Sequence, residues 1–204
     1  MNEPTPTVFV VDDDASHLSS MERLLNASGY RVECFSTARE LIARLSTPAL
    51  GCIITDLKMP EMDGVELQRA LSQSENPLPI VFLTGYGDVR TGVAAMRGGA
   101  EDFLVKTAPA GELLAAIERA LARGRRESEE RARERELRAR FDRLTPREGE
   151  VLAHVFRGRL NKQIAADLGI TERSVKRHRA NLMRKLEVDS VAELVQLALK
   201  AGVN

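Results

Sequence analysis

Cysteine is scarce: the 204-residue chain has two, Cys34 and Cys52, each in or beside a strand-like run. Two buried free thiols are expected, rather than a disulfide framework or a thiolate metal site, and a reducing cytoplasm fits. Long apolar runs are missing as well. No stretch approaches the ~20 residues that span a bilayer, and the opening Met-Asn-Glu-Pro-Thr-Pro-Thr has no basic start and no secretory apolar core. No membrane partner is expected. The 43% of hydrophobic residues can still fill a core, and 29% charged residues fit a soluble protein. The length suits one large domain or two small ones.

Net charge is absent too, but only by cancellation. Residues 1–109 carry 15 acids against 9 bases, a net of −6; residues 110–204 carry 15 acids against 21 bases, a net of +6. The first half suits a cation and the second a polyanion. The last absence is an apolar heptad in the Arg/Glu-rich stretch 121–141. The i,i+4 pairs Glu127/Arg131, Glu129/Arg133, Glu134/Arg138 and Glu136/Arg140 each add roughly 0.2–0.5 kcal/mol to a helix. Without a heptad they predict a solvated helical linker and not a coiled coil, with Gly124 as its weak point.

What is present falls into two periods. In the first ~120 residues, strand-like runs at Thr7–Val11, Arg31–Phe35, Gly51–Thr55, Ile80–Thr84 and Phe103–Val105 alternate with helical spacing. Asp63-Gly64-Val65-Glu66 reads as a capping box. A fourth helix is expected from Asp88 and a fifth from about Ala110. Five such βα units imply a parallel sheet covered on both faces. The last ~60 residues are helical throughout. Capping boxes stand at Thr145-Pro146-Arg147-Glu148 and Ser190-Val191-Ala192-Glu193. Helices from Asn161 to Leu168 and from Thr171, joined at Gly169-Ile170, form a helix-turn-helix candidate.

Four strand-like runs end in reactive groups: the first in Asp12-Asp13-Asp14, the third in Asp56, the fourth in Thr84, the fifth in Lys106. A carboxylate closing a buried run is costly unless it is partnered. Parallel strands bring all these groups to one sheet edge, where open α/β sheets place their sites. The acids make a hard-oxygen site of the kind Mg²⁺ takes. Asp56 can attack phosphorus as a nucleophile, with Thr84 and Lys106 available to the phosphoryl oxygens. The plainer alternative for Asp12–Asp14 is an acidic surface turn. His17 and His154 read as ordinary helix positions.

Residues 7–120 resemble the receiver domain of two-component response regulators. The resemblance rests on Val-Val-Asp-Asp-Asp at 10–14, Thr-Asp-Leu-Lys-Met-Pro-Glu-Met-Asp-Gly-Val-Glu at 55–66, Leu-Thr-Gly-Tyr-Gly-Asp at 83–88 and Gly-Ala-Glu-Asp-Phe-Leu-Val-Lys at 99–106. It implies Asp56 as phosphoacceptor, and Mg²⁺ held by Asp12, Asp13, Asp56 and the carbonyl of Lys58. It also implies Thr84 and Phe103 as the switch pair, Lys106 as the phosphate-pairing lysine, and strand order 2-1-3-4-5. One departure stands out. Proline usually follows this lysine, often after a cis bond, whereas here Thr107-Ala108-Pro109 follows. A cis Lys-Thr bond costs roughly 3–4 kcal/mol, against about 0.5–1 before proline.

On a helix over 171–186, Val175, Leu182 and Leu186 fall within about 40° of one another, and Arg173, Lys176, Arg177, Ala180 and Arg184 cover roughly 100° on the opposite side. A basic stripe backed by an apolar one is the footprint of a recognition helix; the alternative is a solvated amphipathic helix. Lys176 and Arg177 have the reach for guanine edges, and Ala180 is small enough for a thymine methyl. Lys162 and Arg184 suit phosphates, as do the helix starts at Asn161 and Thr171. His178 and Arg179 flank the apolar stripe, which fits packing or phosphate contact. Leu144–Leu152, Asn161–Arg179 and Met183-Arg-Lys-Leu186 resemble a LuxR-type DNA-binding domain.

Together the halves resemble the FixJ/NarL class. That resemblance implies a cytoplasmic transcription regulator with a receiver at 1–120, a linker at 121–141 and a DNA-binding domain at 142–204. A histidine kinase would supply phosphate, duplex DNA and RNA polymerase would be partners, and phosphorylation would bring two copies together. Two rivals stand beside this reading. One is a DNA-binding protein whose receiver is a phosphorylation-independent dimer module. The other is an aspartyl-phosphate phosphatase, though Lys58 stands where that chemistry commonly has a second aspartate.

Overall fold

A computed structural model describes residues 6–74, 76–85 and 89–202. The chain forms two compact units, Met1–Ser128 and Glu129–Asn204. In the first, strands β1 (Thr7–Val11), β2 (Arg31–Phe35), β3 (Gly51–Asp56), β4 (Ile80–Thr84) and β5 (Asp102–Val105) alternate with helices α1 (Ala15–Ala27), α2 (Ala38–Arg44), α3 (Gly64–Ser72), α4 (Val89–Arg97) and α5 (Ala110–Asp142). The strands are all parallel, in order β2-β1-β3-β4-β5. This is the expected doubly wound sheet.

Strand alternation divides the core. Val8, Val10, Cys52, Ile54, Val81 and Leu83 point to one face and meet Met21 and Leu25 of α1 and Leu113, Ala116 and Ile117 of α5. Phe9, Val11, Ile53, Ile80 and Phe82 point to the other and meet Leu41 of α2, Leu67 and Leu71 of α3 and Ala95 of α4. Each fully buried side chain of this size contributes about 1.5–3 kcal/mol, so the central strands hold the sheet edge firmly. Cys34 and Cys52 are free thiols. Burial pushes Cys52 up to about 12 and raises Cys34, which disfavours the thiolate form of each.

Helix starts follow the local chemistry. Asp63 and Glu66 make the reciprocal capping box that opens α3 (2.7 and 3.0 Å). The expected start of α4 at Asp88 lies outside the described residues. The stretch 121–141 continues the preceding helix: α5 runs unbroken for 33 residues. Glu129/Arg133 and Glu136/Arg140 pair along it as expected, whereas Arg138 donates to the carbonyl of Ala201 (3.2 Å). Gly124 is buried rather than exposed: a Cβ there would lie 2.8 Å from the carbonyl oxygen of Gly51.

The second unit contains the end of α5, α6 (Pro146–Phe156), α7 (Asn161–Leu168), α8 (Glu172–Leu186) and α9 (Val191–Ala201). Val151, Leu152, Ile164, Val175, Leu182, Leu186 and Leu194 fill its core with Phe141. Thr145 and Glu148 make the capping box of α6, and Glu148 also takes Lys185 at 2.6 Å. At α9 only half of the expected box forms. Ser190 accepts from Glu193 N–H, but the Glu193 carboxylate accepts from Asp189 N–H, one residue upstream of the cap.

Candidate functional site

The sheet's carboxyl edge brings the acidic residues together. Asp12 follows β1, Asp56 ends β3, and the register Val11↔Thr55 sets those strand ends side by side. One carboxylate oxygen from each of Asp12, Asp13 and Asp56 fits within a 4.8 Å group. Asp12 and Asp56 are buried and Asp13 is exposed. Asp14 has a different job: its carboxylate caps α1, accepting from the N–H groups of Ser16 and His17.

Lys106 closes the group. Its N–H donates to Thr84 O at 2.7 Å, which fixes the backbone after β5. Among the described residues no peptide bond is cis; the segment after Lys106 turns instead through an Ala108 N–H to Val105 O bond. The Lys106 ammonium lies 2.6 Å from Asp12 Oδ2 and 2.8 Å from Asp56 Oδ2. Burial works against its charge, yet the hydrogen bonds and charges of Asp12 and Asp56 raise its pKa above the usual lysine value. For Asp12, burial raises the pKa, but hydrogen bonds from His17 and Lys106 outweigh it and hold the carboxyl at about 2. Both groups are therefore ionised at neutral pH.

The other site residues stand around this pair. Thr84 is buried at the end of β4, and Lys58 N–H lies 3.4 Å from Asp56 Oδ1. Phe103 is half-buried, its ring 6.1 Å from that of Phe82. A Cβ on Gly92 of α4 would come within 3.3 Å of the Phe103 ring. Residues 86–88 of the third receiver motif lie outside the described residues.

Two residues escaped the sequence reading. His17, which its spacing predicts as an ordinary helix position, sits in the site with Nδ1 2.7 Å from Asp12 Oδ2. Only its spacing from Asp12, across the α1 cap, could have signalled this. Gly64 is the other. A Cβ there would lie 2.5 Å from Asp56 O and 2.9 Å from Phe82 Cε1, so α3 can start behind Asp56 only with glycine at that position. His154 has Nδ1 3.5 Å from Asp167.

In the second unit, α8 buries Val175, Leu182 and Leu186 and exposes Arg173, Lys176, Arg177, Ala180 and Arg184. Thr171 caps the helix, accepting from Ser174 N–H. Gly169 takes the left-handed conformation (φ 64°) that ends α7 and turns the chain into α8. Lys162 is exposed in the first turn of α7. Asn161 is tied to α8, since Arg179 Nη1 donates to its Oδ1 at 2.8 Å.

A parallel 2-1-3-4-5 sheet with a lysine-bridged acidic edge, joined to a helix-turn-helix unit, defines a DNA-binding response regulator. The chain belongs to that family: residues 8–118 match the response regulator receiver domain and residues 142–198 the bacterial regulatory proteins of the luxR family. It is 40% identical over 197 residues to the response regulator protein TmoT of Ectopseudomonas mendocina, covering 97% of this chain and 90% of that one. It is 37% identical to the transcriptional regulatory protein FixJ of Bradyrhizobium diazoefficiens, covering 96% of each. The solved structure of the response regulator StyR is 43% identical, with a TM-score of 0.78 over 96% of this chain and 99% of that one. Among the described residues, no helix is long and apolar enough to cross a membrane.

Proposed function

We propose that this chain is a cytoplasmic transcription regulator switched by phosphorylation of Asp56 from a partner histidine kinase. The observation that carries the reading is the Lys106 ammonium bridging Asp12 and Asp56 at the ends of parallel strands. An Asp56 carboxylate oxygen attacks phosphorus, the P–N bond of the kinase phosphohistidine breaks, and an acyl phosphate forms. Lys106 moves from the carboxylates to a phosphoryl oxygen, and Thr84 donates to another. The donor set suits Mg²⁺, a hard ion that accepts few carboxylates; Asp12, Asp13, Asp56 and the Lys58 carbonyl would hold it. When bound, Mg²⁺ offsets the charge of the incoming phosphoryl group.

The division of labour is a receiver over 1–120, a linker over 121–141 and a DNA-binding domain over 142–204. Thr84 moving toward phosphate lets Phe103 follow, which alters the face formed by α4, β5 and α5. Val93, Met96 and Val105 are exposed apolar residues on those elements, and they support a dimer face there. The dimer acts on duplex DNA and works with RNA polymerase. With Mg²⁺ and a small phosphodonor, sedimentation should show monomer shifting toward dimer, with label on Asp56. Equal mass in both states would instead favour a receiver that acts without a phosphorylation-linked dimer.

Lys176, Arg177 and Ala180 face bases, with Arg173 beside them on the same stripe, while Asn161, Lys162, Thr171 and Arg184 grip phosphates. Arg177→Ala should cost roughly 1–3 kcal/mol on the best site and relax preference at one position. Lys162→Ala should weaken all sequences alike and lower the salt slope by about one. Binding titrations on specific and random duplexes at several salt concentrations separate the two. An equal loss on both duplexes for Arg177→Ala would move Arg177 to the phosphate class.

A further inference from the structure

The carboxylate of Asp12 is crowded with donors. Its Oδ1 accepts from Asp14 N–H at 2.9 Å. Its Oδ2 accepts from two cations or potential cations, Lys106 at 2.6 Å and His17 at 2.7 Å. Asp12 is 2% exposed, so water cannot replace a lost partner freely, and a buried carboxylate without one is costly. The ionised carboxylate only accepts, which places the hydrogen of this contact on His17 Nδ1. His17 is held by the first turn of α1, where Asp14 caps its backbone N–H, and its side chain is sheltered at 20% exposure.

These contacts have a consequence for Lys106. To pair with a phosphoryl group it must give up hold on Asp12 Oδ2, and His17 is the side-chain donor that stays on that oxygen, beside the Mg²⁺ that Asp12 would help hold. We propose that His17 is a positioning residue that stays on Asp12 as Lys106 departs and so frees the lysine for the phosphorylated state. This rests on the phosphoacceptor reading of Asp56. His17 acts through Asp12, its partner at 2.7 Å.

The test uses the full-length protein, Mg²⁺, and beryllium trifluoride as a stable stand-in for the phosphoryl group, read by calorimetry. His17→Leu removes the donor at similar bulk and should weaken uptake of beryllium trifluoride with Mg²⁺ by about tenfold, the usual scale for an outer partner of a ligand. Binding of Mg²⁺ alone, which lets Lys106 stay on Asp12, should fall by a smaller factor than uptake with the fluoride. His17→Asn sets an amide where Nδ1 stood and should restore uptake; His17→Gln sets it one bond further and should not. Thermal unfolding of each variant confirms that it is folded. Wild-type uptake in His17→Leu would overturn the proposal, as would equal rescue by Asn and Gln or equal losses for Mg²⁺ with and without the fluoride. A wild-type protein that takes up no beryllium trifluoride would instead overturn the phosphoacceptor reading itself.

Discussion

Asp56→Asn should remove phosphoryl uptake altogether while leaving the receiver folded. The amide keeps the shape of the carboxylate but is no nucleophile toward phosphorus. The site around it supports a near-normal fold: Lys106 keeps Asp12 at 2.6 Å, Lys58 N–H still has an oxygen to face, and Asp56 lies at the sheet edge, clear of the apolar clusters. The lost ion pair has one partner that is 20% exposed and a second carboxylate nearby, so the stability change is small beside the chemical one. Intact-mass measurement with Mg²⁺ and a small phosphodonor checks this: wild type gains one phosphoryl group and the Asn variant none. An Asn variant labelled at the wild-type level would move the acceptor to another residue.

The sequence made the sheet legible because its strands are short buried runs that end in charged or hydroxyl residues. Thr7–Val11 and Ile80–Thr84 have no competing helical period, and their expected ends are those of the observed strands. The edge strand β5 begins one residue earlier than read, at Asp102, whose carboxylate accepts from Phe103 N–H. The grouping of Asp12, Asp13, Asp56 and Lys106 follows from parallel pairing alone, since each lies at or just beyond the same end of its strand. The path after Lys106 was not legible. It depends on the Thr84 carbonyl that fixes Lys106 N–H, a tertiary contact with no trace in spacing. His17 was missed for a related reason: helical periodicity gives the face of α1 but not the angle at which Asp14 starts the helix over the sheet. Likewise, Arg179 could be assigned to packing or phosphate contact, but its bond to Asn161 appears only when α7 and α8 meet.

Gly51→Ala should prevent the receiver unit from folding. Gly51 opens the central strand β3 directly opposite Thr7 of β1. A Cβ there would fall 1.8 Å from Thr7 O and 3.0 Å from Thr7 N. Neither atom can retreat: Thr7 N–H is bound to Leu50 O at 2.9 Å, and the pair continues through four further residues in register. Separating the strands would open both core clusters, because β1 and β3 contribute side chains to each. The cost exceeds ~5 kcal/mol, comparable with the whole stability of a domain. Gly124 of α5 packs against the same residue's carbonyl and gives a sign test. In a solvated helix Gly→Ala stabilises by about 1 kcal/mol, but here the new Cβ would lie 2.8 Å from Gly51 O and 3.3 Å from Pro79. Gly124→Ala should therefore lower the receiver's denaturant midpoint, and Gly51→Ala should remove its cooperative transition. A Gly124→Ala variant with a raised midpoint, or a Gly51→Ala variant that unfolds like wild type, would show that this glycine contact is not tight.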